Sequence, residues 1–264
     1  MKPPSFRDDH PVAWTFHRNS TPSTAGYPGA RDRPPLAPYK EYLGSPLEML
    51  PPARLPGTPL AAALAARSSC RRFAPEPPGG EALSTILHAA YAIRGRSSLF
   101  DQEFFERPVP SAGGLFPLEV YLFAGRVEGL APATYHYHVA LHALERIGEA
   151  VSGADLARLF LGQPYVGDAA AVLVLTAVVE RSLWKYRDRG YRYLLIEAGH
   201  VAQNVNLMAA ALGLGAVDLG GFFDAELAEL LGLDSEEEIP LYGIAVGNPA
   251  SAEASEAREP ETGA

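Results

Sequence analysis

Residues 67–73 concentrate hydrogen-bond donors of two kinds. Three guanidinium groups and two hydroxyl groups lie here with no acidic residue among them. An arginine offers a planar fork of charge-assisted hydrogen bonds that suits a phosphate, and a serine hydroxyl can donate one more. The pattern indicates a phosphate-binding turn, with a solvated basic turn as the simpler alternative. The donors are those of Arg67, Ser68, Ser69, Arg71 and Arg72.

A loop of small residues bounded by prolines spans residues 110–117. Pro110, Ser111, Ala112 and Gly113 lead into an apolar stretch that is typical of a strand. Small residues allow the backbone to approach a flat or anionic ligand closely, and the prolines restrict the loop. Taken alone, the loop is better explained as a tight turn before a strand.

Lys185 is the only lysine after residue 40, in a chain that has 19 arginines and 3 lysines. Arginine keeps its proton near neutral pH, whereas a lysine can lose its proton when it is crowded by cations or desolvated. Arg181, Arg187 and Arg189 surround this lysine in the sequence, which favours an acid–base role. The alternative is that a lysine occurs at this position by chance.

Four polar residues share one face of an otherwise apolar helix. Glu197, His200, Gln203 and Asn204 are separated by offsets of three, six and seven from the first. Because buried polar groups need partners, this stripe predicts contact with a cofactor, a loop or a second subunit.

Histidines at 136 and 138 share a face of a predicted strand and invite a metal interpretation. No carboxylate or cysteine nearby in the sequence completes such a site, so we predict surface histidines and no metal. The single cysteine, Cys70, excludes an internal disulfide and any multi-cysteine cluster.

The composition is that of a soluble globular protein, with 264 residues, 47% hydrophobic and a net charge of −9. An acidic chain without a basic block disfavours nucleic-acid or membrane binding. The longest apolar run, 169–179, is far short of the roughly 20 residues that span a bilayer. The first residues lack the apolar stretch of a secretory signal, so we expect a cytoplasmic protein.

Proline divides the chain, because 13 of its 24 prolines lie in residues 1–59. Residues 1–57 are predicted to form an extended, proline-rich arm, and residues 58–248 the folded domain. Residues 249–264 are small and acidic, which predicts a disordered tail.

Hydrophobic periodicity and β-branched runs predict the elements of the domain. Helices are expected at 59–66, 81–94, 194–212 and 224–231. Strands are expected at 119–125, 169–179 and 239–247, with a hairpin at 134–139 and 142–147. Hairpins mixed with unevenly spaced helices indicate an α+β fold.

Taken in order, these segments resemble the nitroreductase superfamily, specifically its branch of SagB/ThcOx-type azoline oxidases. The resemblance covers about residues 58–248 and, more faintly, the arm at Phe16, His17 and Lys40. It rests on the R-x-S-x-R-x-F pattern at 67–73, PSAGGLFPLEVY at 110–121, YHYH at 135–138, KYRDRGYRYLLIEAGHVAQN at 185–204 and LGGFFD at 219–224.

The resemblance implies a nitroreductase-like α+β fold with a central, mainly antiparallel sheet flanked by helices. It implies an intertwined homodimer with FMN at the subunit interface. Lys185 and Tyr186 correspond to a pair regarded as catalytic. The implied cofactor-binding residues are Arg67, Ser68, Ser69, Arg71, Pro110, Ser111, Ala112, Gly113, Asn204, Gly220 and Gly221.

This chain departs from the pattern at several positions. Ser68 stands where many relatives have a second arginine, and Arg187 follows the Lys-Tyr pair where glycine is usual. Phe116 replaces a common tyrosine, and the Val-Gly-Asn sequence ending at Asn248 lacks a basic residue often found there. The last departure removes one cation from the predicted phosphate site.

The implied function is an FMN-dependent dehydrogenase that oxidises a thiazoline or oxazoline ring, in a ribosomally made peptide, to the azole. Lys185 would remove the ring Cα proton, hydride would pass to flavin N5, and molecular oxygen would reoxidise the flavin. Two alternatives stay open: an NAD(P)H-dependent nitro- or quinone-type reductase, and a flavin-free docking subunit of a cyclodehydratase complex.

Overall fold

Helices and strands alternate irregularly along the chain in a computed structural model that describes residues 5–22, 32, 34, 36–99 and 102–251. The helices are α1 (Phe6–Asp9), α2 (Pro11–Asn19), α3 (Leu60–Ala66), α4 (Gly80–Tyr91), α5 (Gly153–Leu159), α6 (Pro164–Gly167), α7 (Glu180–Tyr186), α8 (Asp188–Ala211) and α9 (Asp224–Leu230). The strands are β1 (Leu47–Met49), β2 (Gly95–Leu99), β3 (Gln102–Glu106), β4 (Leu118–Ala124), β5 (Ala133–His138), β6 (Ala143–Gly148), β7 (Ala171–Val178), β8 (Gly215–Leu219) and β9 (Glu238–Gly247).

A seven-stranded sheet forms the centre of the molecule, in the order β1-β6-β5-β4-β7-β9-β8. Each pairing between neighbouring strands of this sheet is antiparallel. β2 and β3 form a separate antiparallel hairpin. The predicted α+β class with an antiparallel sheet is therefore confirmed.

The central strands are buried on both faces, which explains their nearly continuous apolar sequences. β7 pairs with β4 on one side and β9 on the other, so its backbone donors and acceptors are satisfied within the sheet. Because side chains alternate along a strand, Val120 and Leu122 of β4 point to one face, and Tyr121 and Phe123 to the other.

Two helices cover the first face. Ile86 and Leu87 of α4, with Val201 and Val205 of α8, pack against the inward residues of the strands. The predicted helix at 194–212 begins earlier than expected, at Asp188, where Arg187 adopts a left-handed φ of 53° and separates α7 from α8. That break turns the chain between the two helices.

The second face is covered by short helices and by the arm. α5, α6 and α9 enclose an apolar cluster around Phe160, Val166 and Leu227. Next to that cluster, Lys40 and Tyr42 of the arm lie over polar residues of the sheet.

The arm is more ordered than its proline content suggests. The sequence predicts an extended arm, but residues 5–22 include α1 and α2, and β1 adds an edge strand next to β6. The C-terminus of α2 lies on α8, because Arg192 donates from Nη2 to the His17 carbonyl at 2.6 Å and from Nε to Ser20 Oγ at 2.8 Å. The predicted disorder of 249–264 concerns mostly residues outside those described and stays a prediction.

Candidate active site

Lys185 and Tyr186 close the short helix α7, immediately before the turn at Arg187. Both side chains are half-buried. Lys185 Nζ lies 5.4 Å from the centre of the Tyr186 ring, and Tyr193 of α8 packs edge-on against the same ring at 4.9 Å. The strained backbone at Arg187 therefore presents the lysine and the tyrosine side by side.

The loop at 110–114 meets this pair at Gly113. A Cβ atom placed on Gly113 would lie 2.6 Å from Tyr186 Oη and 2.8 Å from Lys185 Nζ. Gly113 also has a φ of 66°, a left-handed value that side-chain-bearing residues rarely adopt. The fold thus brings into contact two segments that are about 70 residues apart in the sequence. The approach is this close because Gly113 has no side chain.

Residues 67–73 lie elsewhere on the chain, along the edge strand β8. Ser69 forms a bridge with Ala216, and the Cys70 amide donates to the Ala216 carbonyl at 2.9 Å. Arg67 is half-buried, while Ser68, Ser69 and Arg71 are exposed. A cleft of about 510 Å³ opens here. Its polar lining consists of Ser68, Ser69, Cys70, Arg71, Arg72 and Asn206.

Asn206 is a lining residue that sequence reasoning missed. It is buried and donates to Asp218 Oδ1 at 2.8 Å and to the Ala202 carbonyl at 2.9 Å. Its position on α8 falls outside the polar stripe, and no motif marks it. Only the packing of α8 against β8 places it in the cleft.

Asn204, which the resemblance implies as a cofactor ligand, faces another way. Its side-chain amide donates to the Ala89 carbonyl of α4 at 3.1 Å, and it lines a separate, mainly apolar cleft of about 330 Å³. Gly220 and Gly221 follow β8, and β8 is the strand that pairs with Ser69. The roles of these three residues stay predictions.

The polar stripe on α8 divides between the inside and the surface. His200 and Gln203 are exposed, whereas Glu197 is only 2% exposed. Glu197 Oε1 accepts a hydrogen bond from Tyr91 Oη at 2.7 Å. Burial raises the pKa of Glu197 to about 7, although Ser111, Tyr91 and Arg107 partly offset that effect. The hydrogen-bond partner found for Glu197 is Tyr91 of α4, which is a helix and not one of the partners predicted for the stripe.

The prediction of surface histidines at 136 and 138 is wrong. His136 is fully buried, with Nε2 3.1 Å from Glu119 Oε2 and Nδ1 2.7 Å from Glu145 Oε2; His138 is 4% exposed. The carboxylates come from neighbouring strands, so they were invisible as local sequence neighbours. Among the described residues, no group of three or more His, Cys, Asp or Glu side chains could hold a metal ion.

Arg181 completes this buried charge network. Its Nη1 donates to Glu119 Oε1 at 2.6 Å. Burial alone would raise the pKa of Glu119, but the His136 hydrogen bond and the Arg181 charge outweigh it and lower that pKa to about 2. Burial likewise opposes the charge on His136, yet its two carboxylate partners raise its pKa overall. The network stabilises the sheet and does not contact the 110–114 loop through these bonds.

Within the described part of the chain, no helix is long and apolar enough to cross a bilayer.

Residues 64–248 match the Nitroreductase family. A protein of Methanocaldococcus jannaschii that carries the name nitroreductase is 40% identical over 181 residues, which cover 69% of this chain and 86% of that protein. The microcin B17-processing protein McbC of Escherichia coli is 35% identical over 147 residues, which cover 51% of this chain and 52% of McbC.

Solved structures share the fold. A nitroreductase of Ralstonia eutropha superposes with a TM-score of 0.65 at 29% identity, over 88% of this chain and 98% of that one. The E. coli microcin synthetase complex McbBCD with truncated pro-MccB17 bound gives 0.59 at 24%, over 94% of this chain and 85% of the matched chain. A Desulfovibrio desulfuricans nitroreductase in complex with FMN gives 0.50 at 23%, over 74% and 88%. The last two likenesses concern the fold alone.

The matched segment includes the donor-rich turn, the small-residue loop, the Lys-Tyr pair and the glycines after β8. The chain therefore belongs to the nitroreductase family, and it is also similar to the microcin B17-processing protein McbC.

Proposed function

We propose that the protein is an FMN-dependent dehydrogenase that oxidises thiazoline or oxazoline rings in a ribosomally made peptide to azoles. The observation that carries the proposal is the meeting of Lys185 Nζ and Tyr186 Oη at Gly113. This contact joins an ionisable amine, a phenol and a backbone stretch that a flat ring can approach. The similarity to McbC supports a peptide as the substrate.

The donor set of the cleft beside β8 fits a phosphate-tailed cofactor. Its described lining carries arginine, serine and asparagine side chains and no carboxylate. Charge-assisted hydrogen bonds from such groups favour a phosphate. Ser68, Ser69 and Arg71, which line the cleft, would hold the phosphate and ribityl chain of FMN, and Arg67, which precedes them in the chain but does not line the cleft, would assist. Residues 110–113 would lie along its ring, and Gly220 and Gly221 would offer backbone donors.

FMN, when bound, would supply the two-electron acceptor for the hydride on the ring carbon next to Cα, with molecular oxygen as the final oxidant. Lys185, as the free amine, accepts the Cα proton at Nζ while the ring gains its second double bond. Tyr186 Oη donates a hydrogen bond that orients the substrate ring beside the amine. The 110–114 loop limits access of water to both groups.

A homodimer is part of the proposal. The predicted phosphate-binding turn contacts β8, whereas the 110–114 loop contacts the Lys-Tyr pair of α7. Each chain therefore presents these two groups of candidate site residues on different elements. A cofactor placed between two copies would use one group from each. Leu195 and Ile196, 45% and 54% exposed on α8, supply apolar surface for such an interface. The proposed partner of this homodimer is a cyclodehydratase complex.

The test is the conversion of a synthetic peptide carrying one thiazoline ring, followed by mass spectrometry for the loss of two hydrogens. Lys185→Ala is expected to retain yellow, bound flavin and to lose turnover by about 10²–10⁴-fold, the usual contribution of a positioned base. Lys185→Arg is the matched control, because it keeps the positive charge but cannot give up its proton at neutral pH. Full turnover in either variant would remove Lys185 from the mechanism.

A reductase is the second candidate, and the 40% identity to a protein named nitroreductase favours it. Rapid loss of the visible flavin absorption on anaerobic addition of NADPH, without conversion of the thiazoline peptide, would replace the oxidase by this candidate. A colourless protein that FMN cannot reconstitute would leave the docking-subunit alternative.

A further inference from the structure

Arg107 is a buried cation that the proposed reaction does not use. It lies just before the 110–114 loop and is only 4% exposed. Within the described part of the chain, its Nε and Nη2 atoms are buried and have no hydrogen-bond partner. A buried charge destabilises the fold unless other groups compensate it. Something other than hydrogen bonds of these two atoms must therefore stabilise the guanidinium.

Two aromatic rings supply that stabilisation. The Arg107 guanidinium carbon lies 4.3 Å from the centre of the Tyr91 ring and 5.0 Å from the centre of the Phe116 ring. Both distances are within the roughly 6 Å at which a cation is attracted to a ring face, and this attraction is strongest where water is excluded. The two rings meet at 72°, with their centres 6.3 Å apart. The guanidinium therefore fills the corner between them.

Arg107 and Phe116 flank the segment that contains Gly113. The Arg107 side of the segment is fixed to the end of α4, because Arg107 Nη1 donates to the Tyr91 carbonyl at 3.4 Å. The Arg107 carbonyl in turn accepts a hydrogen bond from Arg94 Nη2 at 3.1 Å. The cation is thus held in place from its own side before it reaches the Phe116 ring.

The Phe116 side of the segment is strained. Phe116 has a left-handed φ of 45°, which costs energy in a residue with a side chain and persists only where surrounding contacts hold it. Its amide donates to Ser111 Oγ at 2.9 Å, and the Leu118 amide donates to Tyr91 Oη at 3.1 Å. These bonds hold the backbone, whereas the cation holds the Phe116 ring.

Gly113 lies between these two ends and against the Lys-Tyr pair at 185–186. We infer that Arg107 is a positioning residue, whose guanidinium holds the Phe116 ring and so keeps the 110–114 loop against the Lys-Tyr pair. The catalytic significance of this placement rests on the proposed function. The contact between Arg107 and Phe116 does not.

The change that tests this role is Arg107→Met, which fills a similar volume without a charge. Because apolar replacements of buried charges are often neutral or stabilising, we expect the variant to fold. Hydrogen–deuterium exchange of residues 110–117 in the purified chain should rise by about twofold to thirtyfold, which corresponds to a cation–π contact of about 0.5–2 kcal/mol at 1.4 kcal/mol per tenfold. Exchange of β7 should stay unchanged. If exchange of β7 rose by the same factor, Arg107 would support the fold as a whole and the inference would be overturned.

Arg107→Lys keeps a cation at this position but lacks the planar guanidinium. It should recover part of the protection from exchange that Arg107→Met loses. Arg96→Met is the matched control, because Arg96 is exposed and its guanidinium carbon lies 5.2 Å from the centre of the Phe105 ring. This control should leave the exchange of residues 110–117 unchanged. Equal exchange in Arg107→Lys and Arg107→Met would overturn the role of the charge.

Phe116→Leu removes the ring from the loop side and leaves the buried cation in place. It should loosen the loop to a similar extent as Arg107→Met. Because both changes break one contact, the double variant should be no looser than the looser single variant. Effects that multiply in the double variant would overturn the inference. An unaltered loop in Phe116→Leu would overturn it even if Arg107→Met failed to fold.

Turnover separates this inference from the proposed function. In Arg107→Met, kcat for the thiazoline peptide should fall by about tenfold to 10²-fold, and by more than KM rises, because misplacing reacting groups by about 1 Å can cost this much rate. A loosened loop with unchanged kcat would overturn the positioning role. A chain that oxidises no thiazoline peptide in any form, but shows the expected exchange pattern, would refute the proposed function and leave the contact between Arg107 and Phe116 intact.

Discussion

Gly113 is the residue on which the geometry of the candidate site depends most directly. Gly113→Ala would force a methyl group to within 3 Å of Tyr186 Oη and Lys185 Nζ and would strain a left-handed backbone. We expect the protein to fold, to lose roughly 1–2 kcal/mol of unfolding free energy, and to convert the thiazoline peptide at least about tenfold more slowly.

Gly129→Ala is the matched control for that change. Gly129 has a similar φ of 76°, but nothing lies within 4 Å of its would-be Cβ. It should show the same backbone cost in urea denaturation with unchanged turnover. If both variants lost turnover equally, the contact at Gly113 would not matter for activity.

Single residues could be predicted where their chemistry was local. The lone lysine and the small-residue loop were visible in the sequence, and the structure brings them together. Tyr91 and Asn206 were not, because their partners come from distant elements. The prediction for His136 was wrong for the same reason. The alternation of side chains along a strand shows which of them share a face, but not whether another segment covers that face.

At the scale of elements, buried charges attach the arm to the sheet. The Lys40 amide donates to Glu119 Oε1 at 2.7 Å, and Lys40 Nζ lies 2.8 Å from Glu238 Oε2. Arg181 and His136 complete the surroundings of Glu119. The arm segment is therefore held by the same carboxylates that link the strands.

Glu119→Gln tests this attachment. It leaves the buried Arg181 without its anionic partner, so we expect a loss of about 3–5 kcal/mol in the free energy of unfolding at neutral pH. The lowered pKa of Glu119 stabilises the fold above pH 4.5, and this contribution is lost as the pH falls toward 2. The variant should therefore lose less stability than wild type on acidification, as followed by urea denaturation.

Glu149→Gln provides the comparison, because the Arg146–Glu149 pair is exposed and such pairs contribute little. If the free energy of unfolding fell equally with pH in the wild type and in Glu119→Gln, Glu119 would not be the group that causes the loss of stability in acid.

Elements with a strong hydrophobic or β-branched pattern were predictable, and elements without one were not. The helix at 60–66, the β5–β6 hairpin and the buried strand β7 follow from periodicity and β-branched runs. β8 has only five residues between glycines, and α1 and α2 lie in a proline-rich stretch that reads as irregular. Their order comes from tertiary contacts, such as those of Arg192 with α2.

At the scale of the whole molecule, the proposed dimer leads to a measurable expectation. Leu195→Glu places a charge on the exposed apolar face of α8, where a second copy would have to desolvate it. Sedimentation should show a dimer for the wild type and a shift toward monomer for this variant. Leu230→Glu, at a similarly exposed position on α9, should remain dimeric. A monomeric wild type would contradict the proposed assembly.

The turn at residues 67–73 also affects the edge of the central sheet. β8 is a terminal strand, and Ser69 and Cys70 occupy its free hydrogen-bonding side. An edge strand whose hydrogen-bonding side is left exposed can pair with other chains and cause aggregation. The turn that presents guanidinium groups to an anion also shields the molecule from its own copies, so damage to this turn would endanger solubility as well as ligand capture.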